Sequence, residues 1–169
     1  MFQIFGKVEA SDVTQGLLGN CYFLASLSAL AEVPRRIRNI FLSKSVTQSG
    51  CYAVRLYVNG EPQDIVIDDY FPFDESPEQD VWAFSRDTME RELWVQILEK
   101  AYAKVFGSYE AIEGGKPYQA LATLTGFPSH CMVHNRVDRE VLWVMLHKAC
   151  LNESPTVAIV NSVSVGVKE

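Results

Sequence analysis

A cysteine stands at position 21, where the loop Gln15-Gly16-Leu17-Leu18-Gly19-Asn20 gives way to an apolar run reaching Val33. A thiol at the start of a helix meets unpaired backbone N–H groups and the positive end of the helix dipole. Both favour thiolate over thiol. Gln15 carries a side-chain amide just upstream. With the backbone N–H of Cys21 it could hold the oxyanion of a tetrahedral acyl intermediate. Gly16 and Gly19 would let a substrate chain come close to the backbone. Glutamine, short loop, cysteine and buried helix thus form a coherent acyl-transfer site. The competing reading is packing, since free cysteine is among the most buried residue types.

The elements that must position this thiol follow from pattern. Residues 21–33 are apolar on every face, which places a helix in the middle of a protein. Small residues at Ala25, Ser26, Ser28 and Ala29 admit close neighbours, and Pro34 stops the helix. The basic stretch 35–38 is expected to follow the helix end, where cations suit the dipole. Cys51–Val58 and Asp64–Ile67 read as paired strands around the Asn59-Gly60 turn. Residues 74–86 read as a loop. Leu93, Trp94, Ile97, Leu98, Ala101, Tyr102 and Val105 recur at helical spacing, with Lys100 and Lys104 on the wetter side and Gly107 at the end. Residues 118–127 form a short helix closed by Gly126. Residues 138–152 form another, with Val141, Leu142, Met145, Leu146 and Ala149 inward, and residues 156–167 a candidate strand. The order is that of one α+β domain.

The bulk properties narrow the classes. The chain has 169 residues, 48% of them apolar, and a formal net charge of −6. No basic cluster offsets that charge, so nucleic acid is not the expected partner. No secretory signal and no membrane span are expected. Cys21, Cys51, Cys131 and Cys150 lack CxxC spacing and histidine-rich company, so neither zinc nor a disulfide framework is expected. Reduced thiols in a cytoplasmic protein are the expectation.

Residues 12–30, DVTQGLLGNCYFLASLSAL, resemble the active-cysteine segment of the calpains, papain-like calcium-dependent proteases of the cytosol. VIDDYFP at 66–72 and ELWVQILEKAYAKVFGSYEAIEGG at 92–115 match the same family in the right order. The resemblance runs from about Asp12 to about Gly126 and loosens after that. It implies a papain-like lobe with a central buried helix, a small antiparallel hairpin and surrounding helices. By position it makes Cys21 the nucleophile and Gln15 the oxyanion-hole side chain, and places Gly115 against bound peptide. It also implies a regulatory Ca²⁺, with Asp12 and Glu92 as side-chain ligands and a backbone carbonyl, assigned to Gly6, from the preceding stretch. Such oxygen donors suit calcium. Alternatively, Asp12 is a loop or capping acid and Glu92 a first-turn acid favoured by the helix dipole.

A thiol protease also needs an imidazole base and a group to orient it. The family's Gly-His-Ala-Tyr-Ser-like and Asn-Pro-Trp motifs do not occur in the 169 residues, and Asn152 and Asn161 have no Pro-Trp beside them. His130, His134 and His147 match no catalytic position and read as surface or helix-face residues. The chain is therefore expected to be the first, cysteine-bearing subdomain of a calpain-type core, with protein substrates and a missing His/Asn subdomain as partners. A non-catalytic interaction module is the alternative. A redox thiol protein is a third reading, disfavoured because strands and helices do not alternate.

Overall fold

The computed structural model describes residues 2–74, 81–82, 92–133, 136–151 and 159. Its contacts define two compact units, Met1–Cys131 and Met132–Glu169. The described residues are α+β, with five α-helices and two small antiparallel sheets.

Helix α1 (Cys21–Ala31) is the centre of the first unit. Tyr22, Phe23, Leu24, Ser26, Leu27, Leu30 and Ala31 are all buried on it, whereas Cys21 and Ala25, one turn apart, face solvent. Small side chains let α4 (Pro117–Thr125) approach closely: Ser26 Oγ donates to Tyr22 O at 2.8 Å in its own helix and to Pro117 O at 3.3 Å across the gap. Residues 34–38 depart from the expected tail. Pro34 does end α1, but it also opens α2 (Pro34–Ile40), because its fixed φ suits the first helical position. Burial of Ile37 and Ile40 then holds this basic segment as a helix.

Strands β1 (Cys51–Val58) and β2 (Glu61–Asp68) pair antiparallel from Cys51↔Asp68 to Val58↔Glu61, so β2 begins three residues earlier than the pattern suggests. Asn59 and Gly60 take φ of 53° and 84°, the left-handed pair that a two-residue hairpin requires. Tyr52, Val54 and Leu56 point into the core with a period of two. β3 (Phe73–Asp74) and β4 (Val81–Trp82) add a second short ribbon within what reads as a loop; the rest of that loop lies outside the described residues.

Helix α3 (Trp94–Phe106) lies against both β1 and β2. Trp94, Ile97, Leu98 and Ala101 are completely buried, as the helical spacing predicts. Lys100 and Lys104 reach outward and across to β2, where Lys100 pairs with Asp68 at 2.5 Å and Lys104 donates to Val66 O at 2.6 Å.

In the second unit, α5 (Arg139–Cys150) starts at Asp138, whose carboxylate accepts from Glu140 N at 2.9 Å and Val141 N at 3.4 Å. The helix stands where the sequence places it, but its inward set needs correction. Val141 and Met145 are exposed, whereas Leu142 and Leu146 are half-buried; the Ala149 side chain lies outside the described residues. No other described element of this unit covers them. The candidate strand at 156–167 lies outside the described residues apart from residue 159. No helix among the described residues is long and apolar enough to cross a membrane.

The packing makes one direct prediction. Ile97→Ala empties a fully enclosed site between α3 and its neighbours, so it lowers unfolding free energy by about 2–5 kcal/mol, measurable by urea denaturation.

Candidate active site

Cys21 is the first residue of α1, and its side chain is a free, exposed thiol. Packing does not account for it, since the helix buries almost everything else it carries. The residue before it, Asn20, is fully buried and marks the turn into the helix. Its N–H donates to Leu18 O at 2.9 Å, and its carbonyl accepts from Phe23 N at 2.9 Å and Leu24 N at 3.2 Å. Its side-chain amide donates to Glu99 Oε1 on α3 at 2.7 Å.

The loop upstream is folded by Gln15, whose Nε2 donates to Leu18 O at 2.9 Å. One N–H of that exposed amide thus fixes the side chain against its own loop. Gly19 accepts from Gly114 N at 2.9 Å, which ties the residue two before Cys21 to the glycine pair at 114–115. Tyr22 fastens the same pair from the other side. Its hydroxyl donates to Ile112 O at 3.2 Å, and its ring lies so close to Gly115 that a Cβ there would overlap it. Behind it stand Tyr102, edge-on to Tyr22 with ring centres 6.5 Å apart, and Phe23, stacked on Tyr102 at 4.4 Å. Burial raises the phenols of Tyr22 and Tyr102, so both are neutral hydrogen-bonding groups at physiological pH. Gly19, Cys21 and Gly115 are therefore brought together by named bonds, with Gln15 on the adjoining loop.

The residues that the resemblance assigns to calcium lie elsewhere, along the N-terminal segment. Gln3 bridges Glu92, and Leu93 N donates to Gln3 O at 3.0 Å. Glu92 is buried at 3% exposure and precedes α3, whereas Asp12 is half-buried and accepts from Glu9 N at 2.7 Å, closing a short 3₁₀ turn (Ala10–Asp12). Asp12 thus has the capping role that was its alternative reading. Gly6 O accepts from Arg38 Nη2 at 2.7 Å, and the same guanidinium lies 4.7 Å over the Phe5 ring. A carbonyl facing a guanidinium is poorly placed for a second cation. By donor chemistry the two carboxylates suit calcium and the Gly6 carbonyl, as arranged, does not. Among the described residues no three His, Cys, Asp or Glu side chains are grouped to hold a metal.

Sequence reasoning passed over Asn20, Tyr22, Glu99 and Arg38. Glu99 carries a legible signal: it falls one turn after Val95 and three residues before Tyr102, an acid on the inward stripe of α3. Of the histidines, His130 and His147 are exposed; His134 lies outside the described residues.

Comparison with known proteins identifies the family. A family model described as calpain family cysteine protease matches residues 1–165. Calpain-type cysteine protease ADL1 of Oryza sativa subsp. japonica is 47% identical over 121 residues, 72% of this chain and 5% of that protein. Calpain-type cysteine protease DEK1 of Zea mays is also 47% identical over 121 residues, with the same coverage. Calpain-12 of Homo sapiens is 38% identical over 122 residues, 70% of this chain and 16% of its own length. By class, then, this is a cysteine protease domain. More narrowly, the chain belongs to the calpain family, whose reaction is peptide-bond hydrolysis and whose members are generally regulated by calcium. It spans only a small fraction of the length of these relatives.

The contact between Tyr22 and Gly115 is testable by a double-mutant cycle. Gly115→Ala alone costs about 1–3 kcal/mol by overpacking against the ring. In a Tyr22→Ala background the same change costs clearly less, because the obstructing ring is gone. Equal costs in the two backgrounds, read from denaturation curves, would show that the ring does not constrain the glycine.

Proposed function

We propose that this chain is the cysteine-bearing lobe of a papain-like, calcium-regulated endopeptidase acting on proteins in a reducing compartment, the cytoplasm. The observation that carries the reading is the exposed thiol at the first position of an otherwise buried helix, with Gly19 and Gly115 tied beside it. The substrate backbone lies along Gly19 and Gly115, where missing side chains let it approach. Cys21 Sγ, as thiolate, attacks the scissile carbonyl carbon. The carbonyl oxygen takes the negative charge and is held by the Cys21 N–H and the second N–H of Gln15. Collapse of the adduct expels the amine, which takes a proton from an imidazolium and leaves a thioester on Cys21. Water then hydrolyses the thioester and regenerates the thiol.

The imidazole and the group that orients it come from a second, His/Asn-bearing subdomain of the full-length protein. The absence of both motifs from the 169 residues supports this division. The purified chain therefore cleaves no peptide at a rate above background. Turnover in a fluorogenic peptide assay that disappears in Cys21→Ala would overturn the division of labour.

Calcium would be held through the Asp12 and Glu92 carboxylates; its role would be regulatory rather than chemical. This predicts Ca²⁺ binding by calorimetric titration that weakens about tenfold or more in Asp12→Ala, a loss typical of removing one charged interaction. Indistinguishable isotherms for the two proteins would remove Asp12 from the site.

A further inference from the structure

Glu99 is a buried carboxylate that the chemistry above does not use. It is 2% exposed, on the inward face of α3, and its Oε1 accepts from the Asn20 side chain at 2.7 Å. Asn20 occupies the N-cap position of α1, where an asparagine ordinarily turns its Oδ1 back onto the N–H of the second or third helical residue. Here it does not: the start of α1 has no side-chain cap, and Oδ1 accepts from no described residue. The side chain best suited to close the helix end is instead bonded to another helix, 79 residues away in sequence.

We propose that Glu99 and Asn20 are a positioning pair for the nucleophile. Glu99 draws the capping amide away from α1, so that the N–H groups of Cys21 and Tyr22, the first two of the helix, stay open to a developing oxyanion, while Phe23 N and Leu24 N are already held by the Asn20 carbonyl. The inference rests on the reading of Cys21 as the nucleophile. The backbone of Asn20 still starts the helix through Phe23 and Leu24, so the helix end is well formed without the side-chain cap. A charged acceptor is what this displacement requires, because a bond to a carboxylate is stronger than the neutral N–H···O cap it replaces. Burial excludes water that would otherwise compete for either partner. Glu99 touches no reacting atom in this scheme; it acts through Asn20.

The test uses Cys21 as its own reporter. Wild-type chain and variants are alkylated with iodoacetate, which is anionic, and with iodoacetamide, which is neutral. The rate at Cys21 is followed by peptide mass mapping. The ratio of the two rates cancels thiolate content and exposure and reports the pull of the helix end on an anion. Glu99→Leu frees Asn20 to cap α1, so the ratio falls about two- to fivefold, the worth of a helix N-terminus to a nearby anion. Asn20→Ala alone keeps the wild-type ratio, since no capping amide remains. The double variant Glu99→Leu, Asn20→Ala regains it, which a merely structural role for Glu99 would not produce. Glu99→Gln, whose neutral acceptor holds the amide less firmly than a carboxylate, gives an intermediate ratio. If Glu99→Leu does not fold, Glu99→Met carries the same expectation. An unchanged ratio in the Leu or Met variant, or a ratio still lowered in the double variant, overturns the positioning pair while leaving Cys21 as nucleophile. A wild-type Cys21 that reacts no faster than Cys51 and Cys131 overturns the nucleophile assignment itself.

Discussion

The hydrogen bond from Asn20 to Glu99 fixes where α1 begins, and much of the site is assembled from that point. Two polar side chains with almost no exposure are costly inside a protein unless they satisfy one another. Their pairing therefore constrains α1 and α3 to one relative position. With the helix start set, Gly19 falls where Gly114 can donate to it, and Tyr22 falls across Ile112 and Gly115. The neighbours of Cys21 on both sides in sequence are pinned to distant segments. The thiol itself is left bare at the junction.

This arrangement reconciles two opposed demands. A nucleophile must be held still, which calls for burial, and must be reachable, which forbids it. Helix α1 meets both by placing aromatic and aliphatic side chains on nearly all of its surface and leaving one stripe of small residues, Cys21 and Ala25, in solvent. Rigidity comes from the covered faces and access from the bare one.

The sequence carried the parts of this picture that depend on local pattern. The period of α3, the alternation of β1, the Asn59-Gly60 turn and the all-round apolarity of α1 each follow from one side-chain rule, and the structure agrees with them. It was less informative where a residue has two local meanings. Pro34 terminates one helix and begins the next, and only the burial of Ile37 and Ile40 decides that it does both. In α5 the periodicity of Val141 and Met145 describes a face without saying what covers it, and these side chains are exposed. At the site, the thiol and its glycines were visible because their types are unusual in that setting. Asn20 was not, because an asparagine before a helix is ordinary until the acceptor of its amide is known. Arg38 was hidden for a similar reason: its partners, Phe5 and Gly6, lie more than thirty positions away, and neither residue type announces a cation.

The lysines of α3 bear on how such a small sheet survives in water. A two-stranded ribbon has little to shield its outer edge, and unpaired carbonyls there invite another chain to add a strand. The first edge of the hairpin is occupied by the segment after α2, where Leu42 N and Ser43 N both donate to Ala53 O. Along the other, Lys104 takes the carbonyl of Val66, and Lys100 takes those of Asp68 and, just past the strand, Tyr70. The ammonium groups close the hydrogen-bonding row that a newcomer would need and place positive charge beside it. The same helix that builds the core thus acts as a gatekeeper against self-association, and neutralising its two lysines would trade solubility for an adhesive edge.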